Sequence, residues 1–179
     1  YSILFKLTGA ALIAEQLIFL VAFYILGTSI GWPASLGFPA EQVLPLIAEK
    51  STAVFSGYYL YLISSVLLIP IAILVKNALS ETDNPLLNTS LSLVAGFGLV
   101  SSAMKILGII RWLFAMPMLA EVYLSTTSSE AMRQTAVINY DLLNAYAGKL
   151  GEHIGVQLLT AVFIGFLSFS LIRSSRVSS

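Results

Sequence analysis

The sequence predicts an all-α protein, a polytopic bundle of four membrane-crossing helices. Three observations predict it. Of 179 residues, 58% are apolar and only 10% charged, against about 45–50% and about 25% in soluble domains. Four stretches reach the ~20 apolar residues with which a helix crosses ~30 Å of hydrocarbon, keeping every backbone group bonded internally. Lysine or arginine closes the last three of those stretches, as happens where a span meets the interface. The same composition excludes other classes. Nine basic and nine acidic residues cancel, so no basic field is present for nucleic acid. The absence of cysteine and the single histidine exclude disulfides, thiolate catalysis, Cys-ligated zinc or iron–sulfur clusters, and bis-His haem ligation by one copy.

The first span covers residues 3–26, interrupted by Lys6 near its start and by Glu15 and Gln16 at its middle. It lacks the short apolar core and small-residue cleavage site of a signal peptide and reads as a retained span. Residues 27–50 carry Gly27, Gly31, Pro33, Gly37, Pro39 and Pro45, punctuation that predicts an irregular loop, with Trp32 and Phe38 at headgroup level. The second span, 51–75, has no charge and ends at Lys76. A short polar turn over 76–88 contains Asn84-Pro85, and Asn88 or Thr89 is placed to cap the next helix. The third span is 86–110, with Lys105 near its end and Arg111 just beyond. Pro117 then ends or kinks the helix. Ser128 or Ser129, ahead of Glu130, caps a further helix over about 130–149 that merges into the fourth span, 150–172, closed by Arg173 and Arg176. No repeat divides the chain, so residues 1–179 read as one integral membrane domain. Four spans put both termini on one side. Lys6, Lys76, Arg173 and Arg176 lie there, against Lys50, Arg111, Arg133 and Lys149 opposite, and clustering at the span ends tilts the assignment to cytoplasmic termini.

Polar residues inside the spans cost free energy and face protein or water. Glu15 is too deep for a short carboxylate to reach headgroups, so it reads either as a proton carrier or ligand contact, or as a paired or protonated group that holds helices together. Lys105 can snorkel to the interface on its long stem, or reach Glu15. A second cluster follows the third span: Arg111, Trp112, Glu121, Asn139, Tyr140, Asn144, Glu152 and His153. On one continuous helix Ala147, Gly151 and Gly155 repeat at four, a small-residue ridge that permits close helix approach. Arg111 and Glu152 face each other across this ridge and predict a bidentate clamp between the third and fourth spans. His153 is the one candidate axial ligand for a pigment or haem metal, the alternative being a hydrogen bond to a carboxylate or backbone group. No catalytic set assembles: a second histidine is absent, no Gly-x-Ser-x-Gly elbow occurs, and Asp83 and Asp141 fall outside the spans.

The stretch Arg111-Trp112, Pro117-Met118-Leu119-Ala120-Glu121-Val122-Tyr123, then Tyr146-Ala147-Gly148 and Gly151-Glu152-His153-Ile154-Gly155 resembles the signature of an uncharacterised bacterial integral membrane family, the domain of unknown function 4386. Lys6-Leu7-Thr8-Gly9-Ala10 before an apolar run is similar too. The resemblance implies a bacterial multi-span inner-membrane protein without assigned activity, and supplies no catalytic roles. Members carry further helices after the Gly-Glu-His-x-Gly span, so a chain ending at Ser179 reads as a short member or as part of a longer one. Three functions fit these residues. The first is a non-catalytic accessory or structural subunit of a larger membrane assembly, with other subunits or a second copy as partners in the bilayer. The second is binding or transport of a small lipophilic ligand (quinone, lipid or pigment) near Arg111, Glu152 and His153. An enzyme using Glu152 and His153 as acid and base ranks last, for want of a nucleophile or metal.

Overall fold

The computed structural model describes residues 2–81 and 83–174; Arg176 lies outside them. Among the described residues there are helices and no strands, and four helical stretches are long and apolar enough to cross a membrane: Ile3–Ile30, Ser51–Leu79, Pro85–Leu124 and Glu130–Arg173. Each predicted span lies inside one of these. Each observed helix runs further, because polar residues at a helix end cost nothing where the end meets headgroups or water.

Helix α1 (Ser2–Ile30) stops at Gly31, whose φ of +69° is open to glycine and strained for other residues. The N–H groups of Gly31 and Trp32 close back on the carbonyls of Gly27 and Leu26 at 3.1 and 3.3 Å. The stretch predicted as irregular loop holds a short 3₁₀ turn (Ala34–Gly37) and a ten-residue helix, α2 (Ala40–Glu49). Pro45 sits inside α2, where an interior proline costs about 3 kcal/mol. Val43, Leu44 and Ile47 are fully buried on one face, and burial of each such side chain contributes about 1.5–3 kcal/mol. The stripe outweighs the proline, and the glycines and prolines around it end up as punctuation of a helix.

Helix α3 (Ser51–Leu79) turns through a short link into α4 (Pro85–Leu113). The cap of α4 is Asn84, whose side-chain oxygen accepts from Leu87 N–H at 3.1 Å, with Pro85 at the first helical position. Neither Asn88 nor Thr89 caps it, because both already lie within the first turns. Asn88 instead grips the preceding link, donating to the Glu81 carbonyl at 2.6 Å and accepting from Glu81 N–H at 3.1 Å. The helix breaks at Phe114 and resumes as α5 (Ala115–Leu124). Pro117 explains the break, since it offers no N–H to the Leu113 carbonyl and its ring crowds that oxygen. Ser129 caps α6 (Glu130–Leu143), accepting from Met132 N–H at 3.3 Å. Helix α6 continues without interruption through two wider, π-wound stretches (Asn144–Gly148 and Leu150–Leu159) into α7 (Thr160–Arg173).

The bundle is sequential. Helix α1 packs on α3, α3 on α4, and α4 on the last long helix. The 44 residues of Glu130–Arg173 extend about 65 Å at ~1.5 Å per residue, twice the hydrocarbon thickness. Its first part, α6, therefore joins α2 and α5 in a head at one end of the bundle, opposite the end that holds Ser2 and Ser174. Two apolar clusters result. One lies in and below the head, around Leu44, Ile47, Tyr58, Trp112, Met116 and Tyr140. The other lies toward the far end, around Ile71, Val75, Leu87, Leu91 and Phe163. Glu15, Ser64, Ser65, Ser101, Ser102 and Lys105, buried or half-buried, lie between them.

Candidate functional site

The intermediate layer is built from four helices. Midway along α1, the Glu15 carboxylate accepts from Ser64 Oγ of α3 at 2.6 Å and from its neighbour Gln16 at 2.5 Å. Glu15 opens on a cavity of about 290 Å³ between α1 and the last helix, lined also by Tyr61, Ser65, Lys105, Thr160 and Phe163. Ser65 is 3% exposed, and its hydroxyl has no hydrogen-bond partner. Its carbonyl receives the Ser102 hydroxyl of α4. Lys105 is half-buried and lines this cleft, so its stem runs inside the bundle rather than out along its surface. No ion pair joins Lys105 to Glu15; among the described residues the salt bridges are Glu49–Lys50 and Arg111–Glu152.

A few turns nearer the head, a smaller cavity of about 30 Å³ lies under Arg111 and Glu152. Arg111, 4% exposed, spends each nitrogen on a different partner. Nη2 meets Glu152 Oε1 at 2.8 Å, Nε donates to Asn144 Oδ1 at 3.2 Å, and Nη1 to the Gly108 carbonyl at 2.6 Å. The predicted clamp is present. It is single rather than bidentate, because Asn144 and the Gly108 carbonyl take the other two nitrogens. The guanidinium stands 5.4 Å from the centre of the Trp112 ring, and Trp112 stacks on Tyr58 with centroids 4.7 Å apart and planes 9° off parallel. Tyr58 is 1% exposed, lines the small cavity, and its hydroxyl has no partner.

The small-residue ridge works as the sequence predicts. A Cβ on Gly108 would lie 2.7 Å from Gly151 Cα, and one on Gly155 would lie 3.0 Å from Lys105 N, so the helices touch backbone to backbone. Ser101 Oγ uses that approach to donate to the Gly155 carbonyl at 2.9 Å. A side chain at Gly108 or Gly155 would push the two helices apart at this contact.

Other predicted residues lie apart. The Tyr140 hydroxyl donates to the Phe38 carbonyl at 3.0 Å, tying α6 to the start of α2. Asn139 is exposed and donates to the Thr135 carbonyl of its own helix at 2.9 Å. Glu121 is exposed on α5, and His153 is exposed on the outer side of the last helix. Ser64, Ser65, Tyr58 and Tyr61 escaped the sequence reading, because a hydroxyl in an apolar span leaves no mark in hydropathy. Among the described residues, no three His, Asp or Glu side chains group to hold a metal ion.

Residues 5–178 match the family model described as Domain of unknown function (DUF4386). The chain belongs to this family. No curated protein and no solved structure matches it. The stretches on which the sequence resemblance rests have a visible role. In this DUF4386 chain Arg111, Trp112, Gly148, Gly151, Glu152 and Gly155 form the contact between α4 and the last helix.

Proposed function

We propose that this chain is a non-catalytic component of a bacterial inner membrane, and that it binds a small lipophilic molecule with a polar head in the cleft beside Glu15. The observation that carries this reading is the Ser65 hydroxyl, buried without a partner in the wall of the ~290 Å³ cleft. A hydroxyl stranded in this way costs about 1–3 kcal/mol unless something in the cleft bonds to it. Apolar walls with a few convergent polar groups are the usual make-up of a small-molecule site. Here Leu12, Phe19, Leu68 and Phe163 supply the walls, and Glu15, Ser64, Ser65 and Lys105 the polar groups. The cleft lies between α1 and the last helix, so a lipid-soluble molecule reaches it sideways from the bilayer. The space at Arg111 and Glu152 has room for water but not for a quinone. A larger groove of about 510 Å³ between α4 and α7 carries no ionisable group and supplies nothing to orient a head group.

Extraction in mild detergent, followed by mass spectrometry of co-purifying small molecules, tests the reading. A bound lipophile is expected with the wild-type chain, and its occupancy is expected to fall at least about tenfold in Glu15→Ala/Lys105→Met, as loss of two charge-assisted contacts implies. Equal occupancy in both would overturn it.

A second reading, a structural subunit of a larger assembly, is favoured by α1. Only 11% of its most apolar stretch is buried, against 33% for α3 and α4, which leaves an edge for a neighbouring subunit or a second copy. A strictly monomeric species in mild detergent counts against it.

A further inference from the structure

The two cavities share part of their walls. Tyr61, Lys105 and Val156 line both the cleft at Glu15 and the smaller space at Glu152. Each space also holds one buried hydroxyl without a partner, Ser65 in the cleft and Tyr58 in the smaller space. A void of about 30 Å³ bordered by several polar groups is large enough for water and polar enough to keep it. Glu152 has a side chain 33% exposed, whereas Arg111 beside it is 4% exposed, so Glu152 is the member of the pair that reaches outward.

We propose that the smaller cavity is a hydration site bonded to the Tyr58 hydroxyl, and that with Lys105 it forms a proton connection from Glu152, at the head end, to Glu15 at mid-membrane. The transfer balances without any other reactant. Through water in the cleft the Lys105 ammonium passes a proton to the Glu15 carboxylate, the water of the smaller cavity reprotonates the amine, and Glu152, protonated from the aqueous side, restores that water. The net change is one proton lost at Glu152 and one gained at Glu15. Chains of carboxylates and polar groups inside membrane bundles serve this purpose in general. The groups that face Glu15 are few: Gln16 on its own helix, Tyr61 and Ser64 on α3, Lys105 on α4 and Thr160 on the last helix. Lys105 is the one cation among them, so it is the proton donor within the cleft.

The connection rests on the same cleft as the proposed ligand site, but not on any ligand being bound. Time-resolved infrared spectroscopy of the full chain in lipid nanodiscs after a proton-releasing flash tests it. The carbonyl band of protonated Glu15, identified by its loss in Glu15→Gln, is expected to rise after the flash. Its rise is expected to slow by about tenfold or more in Glu152→Gln and in Lys105→Met, as removal of a relay member requires, and several-fold in Tyr58→Phe, which keeps the ring and its stacking on Trp112. A high-resolution structure is expected to show water density within hydrogen-bond distance of the Tyr58 hydroxyl. Wild-type rise times in Lys105→Met and Tyr58→Phe, or a dry cavity, would overturn the proposal. Failure of lipophile binding leaves these readouts unchanged, so the two proposals fail separately.

Discussion

Arg111 and Glu152 show how one buried pair sets its own cost. The guanidinium is almost fully enclosed, and its carboxylate partner is one-third exposed. Removing the carboxylate strands a charge in the protein interior, which for fully buried pairs costs about 3–5 kcal/mol. The partial exposure of Glu152 lowers the expected loss for Glu152→Ala to about 2–3 kcal/mol, measured by denaturation in detergent. The double change Arg111→Met/Glu152→Leu is expected to recover most of that loss, since no charge remains to be stranded. A double change as unstable as Glu152→Ala would show that the pair acts by shape rather than charge. At this scale the sequence was partly legible. Glu15, Lys105, Arg111 and Glu152 stand out because an ionised group among apolar neighbours has few explanations. Ser65 and Tyr58 do not, because their importance depends on what lies across from them. Residues 139, 140, 152 and 153 look like one cluster along the chain, yet successive side chains on a helix point about 100° apart, so Asn139 and His153 end on outer faces while Tyr140 and Glu152 turn inward.

Between elements, contact is decided by glycine and serine. Gly108 and Gly151 touch so closely that any side chain must push the helices apart. Gly151→Ala is expected to destabilise by about 1–3 kcal/mol, the usual range for overpacking. Gly165→Ala, where a Cβ would meet nothing within 4 Å, is expected to be neutral or stabilising by up to about 1 kcal/mol through helix propensity. Thermal unfolding of both variants in one detergent distinguishes them, and equal losses would refute the backbone contact as the cause. The Ser90–Ser170 pair at 2.9 Å and the Ser101 bond to the Gly155 carbonyl join the same two helices, each contributing on the order of 0.6 kcal/mol inside a membrane. The spans themselves were legible from hydropathy, and so were a cap at Ser128 or Ser129, the proline break and the merging of the helix from residue 130 into the last span. Helix α2 was not, because four residues of buried stripe are outvoted by six glycines and prolines around them. The π winding was not either, since hydropathy carries no information about hydrogen-bond register.

At the scale of the molecule, an even number of crossings places the head (α2, α5 and α6) on one side and both described ends on the other. The chain contains no cysteine, so single introduced cysteines report sidedness without background. Glu41→Cys and Glu130→Cys in the head are expected to react with an impermeant maleimide from one side of sealed vesicles, and Lys6→Cys and Asp83→Cys from the other. Reaction of all four from the same side would refute the four-span topology.

Glu15 lies roughly halfway along a helix that crosses the whole bilayer. An elementary charge moved across the full thickness exchanges about 2.3 kcal/mol per 100 mV with the transmembrane voltage. A charge gained or lost at Glu15 crosses about half of that drop and exchanges about 1 kcal/mol per 100 mV. In the proposed connection, each proton delivered to Glu15 therefore moves with or against about half of the transmembrane voltage.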